Sequence, residues 1–144
     1  MISQMTKKSY LPVIFVMALL LISLNTPTES YGFEIGIEVA PNTLNIQSSG
    51  QVVTVHTTVV YWAVDHDNVY LNDIPISSWK ADARGYFVAK FLMSEVKALA
   101  DSGDLTVPGE NTLSLVGYTA DGAEFTGSQV ITVIDVEPAG AGGK

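Results

Sequence analysis

The chain has 144 residues, a net charge of −8 at pH 7 and no cysteine, which excludes disulfide scaffolds, thiolate metal sites and cysteine nucleophiles. Residues 31–144 hold fourteen Asp and Glu against five Lys and Arg, and this balance argues against nucleic acid and anionic membrane surfaces as partners. Residues 31–144 are enough for one domain of ordinary size.

The first predicted element is a signal peptide over residues 1–30. Two lysines precede an apolar run of 14 residues, 11–24, which matches the basic and hydrophobic regions of an export signal. The run is shorter than the ~20 apolar residues of a membrane-spanning helix. A retained membrane anchor is the competing interpretation, but polar and helix-breaking residues follow the run. We therefore expect cleavage before Tyr31, a secreted or periplasmic protein, and no membrane contact after cleavage.

Residues 31–137 are predicted to form a single all-β domain. Short stretches of alternating apolar and polar residues are separated by turn residues, a pattern typical of a sandwich or barrel. Residues 34–39 alternate with Ile35, Ile37 and Val39 on one face. The clearest early strand, 51–60, places Val53, Val55, Thr57 and Val59 on one face. Further strands are predicted at 44–46, 69–72 and 86–92.

One segment follows helical spacing instead. Ser94 is a suitable N-cap, and Val96, Leu99 and Ala100 recur at i, i+3 and i+4. Gly103 is suited to end the helix. We expect a short helix that packs across one end of the sandwich.

The chain closes with a predicted hairpin. Strands at 111–119 and 124–136 flank Asp121-Gly122, a pair that favours a type I′ turn. Gly127 in the second strand predicts a bulge. Residues 138–144 are Pro, Ala and Gly followed by Lys144, with no large apolar side chain to dock on the domain, and we expect a flexible tail.

Taken together, residues 37–136 resemble the Ig-like β-sandwich modules of secreted bacterial and archaeal proteins. The stretches that carry the resemblance are IEVAPNTLNIQSSGQVVTVHT, VYLNDIPIS, FVAKF and NTLSLVGYTADGAEFTGSQVITVI. The last is similar to the family's closing hairpin, in which a Thr-x-Asp-Gly turn leads to Phe-x-Gly-Ser. The resemblance implies an Ig-like β-sandwich of about seven strands with one short helical crossover, and a non-enzymatic surface or extracellular module.

The resemblance also bears on calcium. Family members often carry an Asp-rich loop before the strand that corresponds to 87–91. In this chain the loop retains one carboxylate, Asp82, beside Arg84. Calcium is therefore not expected there.

A second acidic segment, 65–68, concentrates oxygen donors in a predicted loop. Counted from Asp65, an EF-hand would need Gly at position 6 and Glu at position 12, where the chain has Tyr70 and Ile76. A solvated, turn-forming loop is the favoured interpretation. Asp65 and Asp67 remain weak metal candidates, and no cofactor is expected.

Catalysis is not expected either. His56 falls on the polar face of a predicted strand, and no nucleophile elbow or metalloprotease motif occurs. Glycoside hydrolysis uses a pair of carboxylates, but any acidic domain offers such pairs, and no sequence motif singles one out here.

Aromatic residues are the remaining candidates for a site. Residues 59–64 are apolar on both strand faces, and Trp79 and Tyr86 fall in a predicted loop and strand start near Arg84. Core or core-rim packing is the favoured interpretation for Trp62 and Trp79. The alternative is that Trp62, Trp79 and Tyr86 form a sugar-binding platform.

Two functions follow. The first is an exported, non-catalytic module for protein interaction or extracellular structure. The second is a carbohydrate-binding module that uses the exposed aromatic residues. The expected partner is a protein or polysaccharide of the cell envelope or medium, and residues 61–64 could also pair two copies as a homodimer.

Overall fold

The computed structural model describes residues 31–139. The predicted signal peptide and residues 140–144 of the predicted tail lie outside the described residues. The elements in chain order are β1 (Phe33–Glu34), β2 (Ile37–Ala40), β3 (Thr43–Asn45), β4 (Val52–Val60), β5 (Val64–Leu71), β6 (Ile74–Pro75), β7 (Ser78–Ala81), β8 (Tyr86–Leu92), α1 (Met93–Asp101), β9 (Gly109–Thr119) and β10 (Glu124–Ile134). A 3₁₀ turn, Tyr61–Ala63, joins β4 to β5.

The strands form two sheets that pack face to face. One is six-stranded, with the order β1-β10-β9-β5-β6 and with β3 also paired to β10. The other is four-stranded, with the order β2-β4-β8-β7. Helix α1 carries the chain from β8 in the four-stranded sheet to β9 in the six-stranded one. The predicted all-β sandwich with one helical crossover is confirmed, with ten strands in the described chain instead of about seven.

The core lies between the two sheets and draws on both. Strand β4 alternates as predicted, with Val53, Val55, Thr57 and Val59 buried. The Thr57 hydroxyl donates a hydrogen bond of 2.6 Å to the Phe87 carbonyl, which satisfies the one buried polar side chain of the described residues. The largest fully buried side chains are Phe87 and Phe91 in the same sheet and, in the opposing six-stranded sheet, Leu44, Leu71, Leu113, Leu115, Phe125 and Ile131.

The predicted strand 34–39 is two strands in different sheets. The chain leaves the six-stranded sheet after β1 and joins the four-stranded sheet at β2, and Gly36 lies between them. The alternation continues across the change of sheet, so a period of two could not reveal it.

The predicted bulge at Gly127 is wrong. The pairing of β9 with β10 runs without a register shift past this residue. A Cβ at Gly127 would lie 2.7 Å from Ile37 Cγ2 and 2.9 Å from the Ile35 carbonyl oxygen. Glycine is needed there because the segment between β1 and β2 crosses over it at close range.

Helix α1 begins two residues earlier than predicted, at Met93. Its N-cap is Leu92, so the predicted cap at Ser94 is wrong. At the other end Gly103 has φ +84°, and its N–H donates to the Ala100 carbonyl while that of Asp104 donates to Leu99. These two bonds form a Schellman motif, which confirms Gly103 as the end of the helix.

The closing hairpin is confirmed, but its turn is not type I′. Gly122 has a positive φ and Asp121 does not. The Gly122 N–H donates to the Thr119 carbonyl at 2.9 Å, and Thr119 N–H donates to Ala123 at 2.8 Å. This pattern is a three-residue loop that ends in a glycine bulge.

A two-residue turn occurs at Asn72-Asp73, between β5 and β6. Both residues have positive φ, 44° and 68°, as a type I′ turn requires. The predicted strand 69–72 therefore ends one residue early. Across residues 31–139, no helix has the length and apolar composition needed to cross a bilayer.

Candidate functional site

Trp62 lies in water, on the turn that carries the chain from one sheet to the other. Its side chain is 79% exposed, whereas Val59 and Val64 on either side of the turn are buried. The predicted continuous apolar strand 59–64 is interrupted by the 3₁₀ turn, which breaks the alternation of faces. The core interpretation of Trp62 is therefore wrong.

Both ends of this turn are held by backbone hydrogen bonds. The Tyr61 N–H donates to the Gly85 carbonyl at 2.9 Å, in the turn between β7 and β8. The Ala63 carbonyl accepts from the Ala120 N–H at 2.8 Å, in the hairpin between β9 and β10. The backbone that carries Trp62 is thus fastened to both sheets.

His66 lies beside this turn, among three aromatic rings. Its ring centroid is 4.5 Å from that of Tyr61, 5.5 Å from that of Trp79 and 5.6 Å from that of Phe87. Its Nε2 is 3.0 Å from the Tyr61 carbonyl oxygen. Because a carbonyl oxygen only accepts, this contact requires a proton on Nε2.

Trp79 belongs to β7, the edge strand of the four-stranded sheet, and not to a loop as predicted. It pairs with the buried Ala89, so its side chain points to the interior side of the sheet. One ring face stacks on His66 and the residue remains 36% exposed, which places it at the rim of the core. We call Tyr61, Trp62, His66 and Trp79 the aromatic edge.

Tyr86 begins β8, as predicted, but lies on a different surface. It lines a groove of about 540 Å³ on the outer face of the four-stranded sheet. The charged and titratable residues that also line this groove are Glu38, His56, Asp82 and Arg84. Trp79 points inward and Tyr86 outward, so the structure does not bring Trp62, Trp79 and Tyr86 onto one platform.

Asp82 organises the turn before β8. Its Oδ1 accepts hydrogen bonds from the backbone N–H groups of Arg84 at 2.8 Å and Tyr86 at 2.9 Å. The bond from Tyr86, and then the bond and charge of Arg84, hold the pKa of Asp82 below its usual value. The Asp82 carboxylate thus stabilises the turn between β7 and β8.

Asp65 and Asp67 are not in a loop. They lie on β5, exposed, on either side of the inward-facing His66. The segment is irregular because the register of β5 against β9 shifts between Val64 and Val69. Within residues 31–139, no three His, Cys, Asp or Glu side chains converge as a metal site would need.

The sequence offered little sign of the aromatic edge. The sequence pattern places His66 in an acidic loop and Tyr61 in an apolar strand, because the contact that joins His66 to Trp79 runs between the two sheets. The available signal for this cluster is that the aromatic residues Tyr61 and Trp62 end an apolar run and are followed closely by His66.

No protein-family model matches the chain, and no curated protein does. Among solved structures, the chain is similar to part of a 1.5-MDa bacterial ice-binding adhesin described for its retention on the host cell surface, with 19% identity and a TM-score of 0.42. The match covers 76% of this chain and 34% of the other. The chain thus spans about a third of the length of the solved chain that it matches.

Proposed function

We propose that the chain is an exported, non-catalytic, Ig-like module that binds another protein outside the cell through the aromatic edge. The observation that carries the proposal is the 79% exposure of Trp62 beside a core whose aromatic residues are buried. Leaving a large apolar side chain in water costs about 1.5–3 kcal/mol relative to burial. A partner that covers the indole recovers this free energy, and tryptophan is enriched among the residues that dominate interfaces.

The rigidity of the turn adds to this proposal. Because Tyr61 and Ala63 are hydrogen-bonded to opposite sheets, the backbone under Trp62 has little freedom to lose on binding. A preorganised aromatic anchor is the arrangement that converts buried area into affinity most efficiently.

Export and the absence of catalysis rest on the sequence. The basic and apolar regions of residues 1–30 support export. The lack of a placed catalytic motif supports a binding role.

The experiment compares two exposed apolar residues. The full chain, a Trp62→Ala variant and a Val130→Ala variant are used as baits against the envelope and medium of the native organism. Val130 is 54% exposed on the six-stranded sheet and serves as the matched control. We expect a defined partner to be captured by the wild type and by Val130→Ala, and to be lost with Trp62→Ala. Capture that is unchanged by Trp62→Ala overturns the proposal.

A second copy of the chain is one candidate partner, because the apolar stretch 61–64 could pair two copies as a homodimer. Light scattering at high concentration tests it directly. A dimer that dissociates with Trp62→Ala and persists with Val130→Ala supports self-association through the aromatic edge. A monomer at all concentrations excludes it and leaves a different protein as the partner.

A further inference from the structure

The outer face of the six-stranded sheet differs in charge from the rest of the domain. The strands of this sheet contain no Lys or Arg within residues 31–139. Their acidic residues are Glu34, Asp65, Asp67, Glu110 and Glu124. The basic residues of the described chain are Lys80, Arg84, Lys90 and Lys97, which lie on the four-stranded sheet, its β7–β8 turn and α1.

A trough crosses this outer face at right angles to the strands. It consists of two adjoining depressions of about 400 and 390 Å³, which share Ser114 and Val116 on β9. One row of cross-strand partners runs along it, namely Glu34, Thr126, Val116 and Tyr70. From β1 to β5 this row covers three strand spacings, or roughly 14 Å.

The side chains that line the trough combine apolar rings with hydrogen-bonding groups. Tyr70 is 37% exposed on β5, and Tyr118 lines the same depression. The exposed hydroxyls of Ser114 and Ser128 lie along the middle. Glu34 lines the first depression and Asp73 the second.

Two hydrogen bonds hold side chains that line the trough in place. The Tyr118 hydroxyl donates to Glu124 Oε2 at 3.2 Å, and this bond with the nearby charge raises the pKa of Tyr118. The Asn72 side chain accepts from the Ser114 N–H at 2.7 Å, which joins the end of β5 to β9. The part of the trough lined by Tyr118 and Asn72 is therefore preorganised before a ligand binds.

We propose that this trough binds an uncharged glycan chain. Tyrosine rings pack against the apolar faces of sugar rings, serine hydroxyls both donate hydrogen bonds to sugar hydroxyls and accept them, and carboxylates accept them. An anionic glycan would find no Lys or Arg in the strands of this sheet and would face Glu34 and Asp73, so the charges select against it. The trough lies apart from the aromatic edge, and the inference is independent of the proposed protein partner.

Affinity gel electrophoresis of the full chain tests the proposal. The probes are the uncharged polysaccharides laminarin, glucomannan, xyloglucan and dextran, with alginate as the anionic comparison and polylysine as a basic peptide. We expect retention by at least one uncharged polysaccharide and none by alginate. Retention by none of the four overturns the proposal, and binding of polylysine alone assigns the trough to a basic protein segment instead.

Variants locate the binding on the molecule. Tyr70→Ala removes the exposed ring, and Ser114→Leu fills the trough at an exposed position without touching the core. Each should weaken retention by about tenfold or more, whereas Trp62→Ala should leave it unchanged. Thermal melts check folding, and Ser114→Leu carries the test if Tyr70→Ala fails to fold. Retention that survives both changes, or that depends on Trp62 instead, contradicts the proposal.

Discussion

The imidazole of His66 stacks on the indole of Trp79, with ring centroids 5.5 Å apart and ring planes at 20°. The two residues come from different sheets, since His66 is on β5 and Trp79 is on the edge strand β7. Phe87 lies on the core side of the same imidazole, with its plane at 15° to it. This stack closes the open side of the sandwich between the two sheets.

Removal of the Trp79 indole should therefore destabilise the fold. A fully buried Trp→Ala change costs about 3–5 kcal/mol, and partial exposure should reduce the cost for Trp79→Ala to roughly 1–3 kcal/mol. Trp62→Ala should change the free energy of unfolding by less than about 0.5 kcal/mol, because that indole is mostly in water. Urea denaturation of both variants measures the difference, and equal costs would contradict the assignment of Trp79 to the core rim.

The two tryptophans should also differ in fluorescence. In a Trp79→Phe variant the emission comes from Trp62 alone, and we expect a red-shifted spectrum that acrylamide quenches freely. In Trp62→Phe the emission comes from Trp79, which is 36% exposed and has one face covered by His66. Its quenching should be weaker. A blue-shifted, quencher-resistant Trp62 would place that indole in contact with protein and contradict the exposed position.

The fold was predictable from the sequence where packing is local and periodic. The alternation of apolar residues along β4 predicted correctly which of its faces is buried, because successive side chains of a strand point to opposite faces. The aromatic edge was not predictable in the same way. The stack of His66 on Trp79 depends on how two sheets approach each other, and no short-range pattern encodes that distance. The exposure of Trp62 depends on a three-residue turn hidden within an apolar run.

Gly117 should not tolerate a side chain. A Cβ there would lie 2.3 Å from Cζ of Phe125, its partner on β10, and this ring is fully buried. We expect Gly117→Ala to destabilise the domain by about 2–3 kcal/mol through overpacking. Gly32→Ala is the control, because its nearest contact would be an ordinary 3.5 Å to the Glu124 carbonyl oxygen.

The cause of that destabilisation can be checked with a double variant. Phe125→Leu shortens the side chain that clashes, so Gly117→Ala should cost less in this background than in the wild type. Chemical denaturation of the four proteins gives the coupling free energy. Additive costs would show that the ring of Phe125 is not what Gly117 accommodates.

The type I′ turn at Asn72-Asp73 offers a stabilising change. Asp73 has φ +68°, which glycine adopts at no steric cost, so Asp73→Gly should stabilise the domain by up to about 1 kcal/mol. Asn72→Gly is the matched comparison, because it relaxes φ in the same way but removes the acceptor of the Ser114 N–H. Thermal melts should show a rise in Tm for the first and a fall for the second. A fall for both would mean that the Asp73 side chain contributes more than its backbone costs.

The carboxylate of Asp82 should make the stability of the domain depend on acid pH. Its pKa in the folded chain is below the ordinary value of 3.8 because the N–H of Tyr86 and then that of Arg84 donate to it. A lowered pKa means that ionised Asp82 favours folding. Its contribution is complete above pH 3.8 and is lost as the pH falls through the folded pKa.

Asp82→Asn should thus lower Tm at neutral pH, and the gap to the wild type should shrink as melts approach about pH 2. Asp67→Asn removes the same charge from an exposed strand position and should show no such convergence. A gap for Asp82→Asn that stays constant with pH would mean that the turn depends on the shape of the side chain and not on its charge.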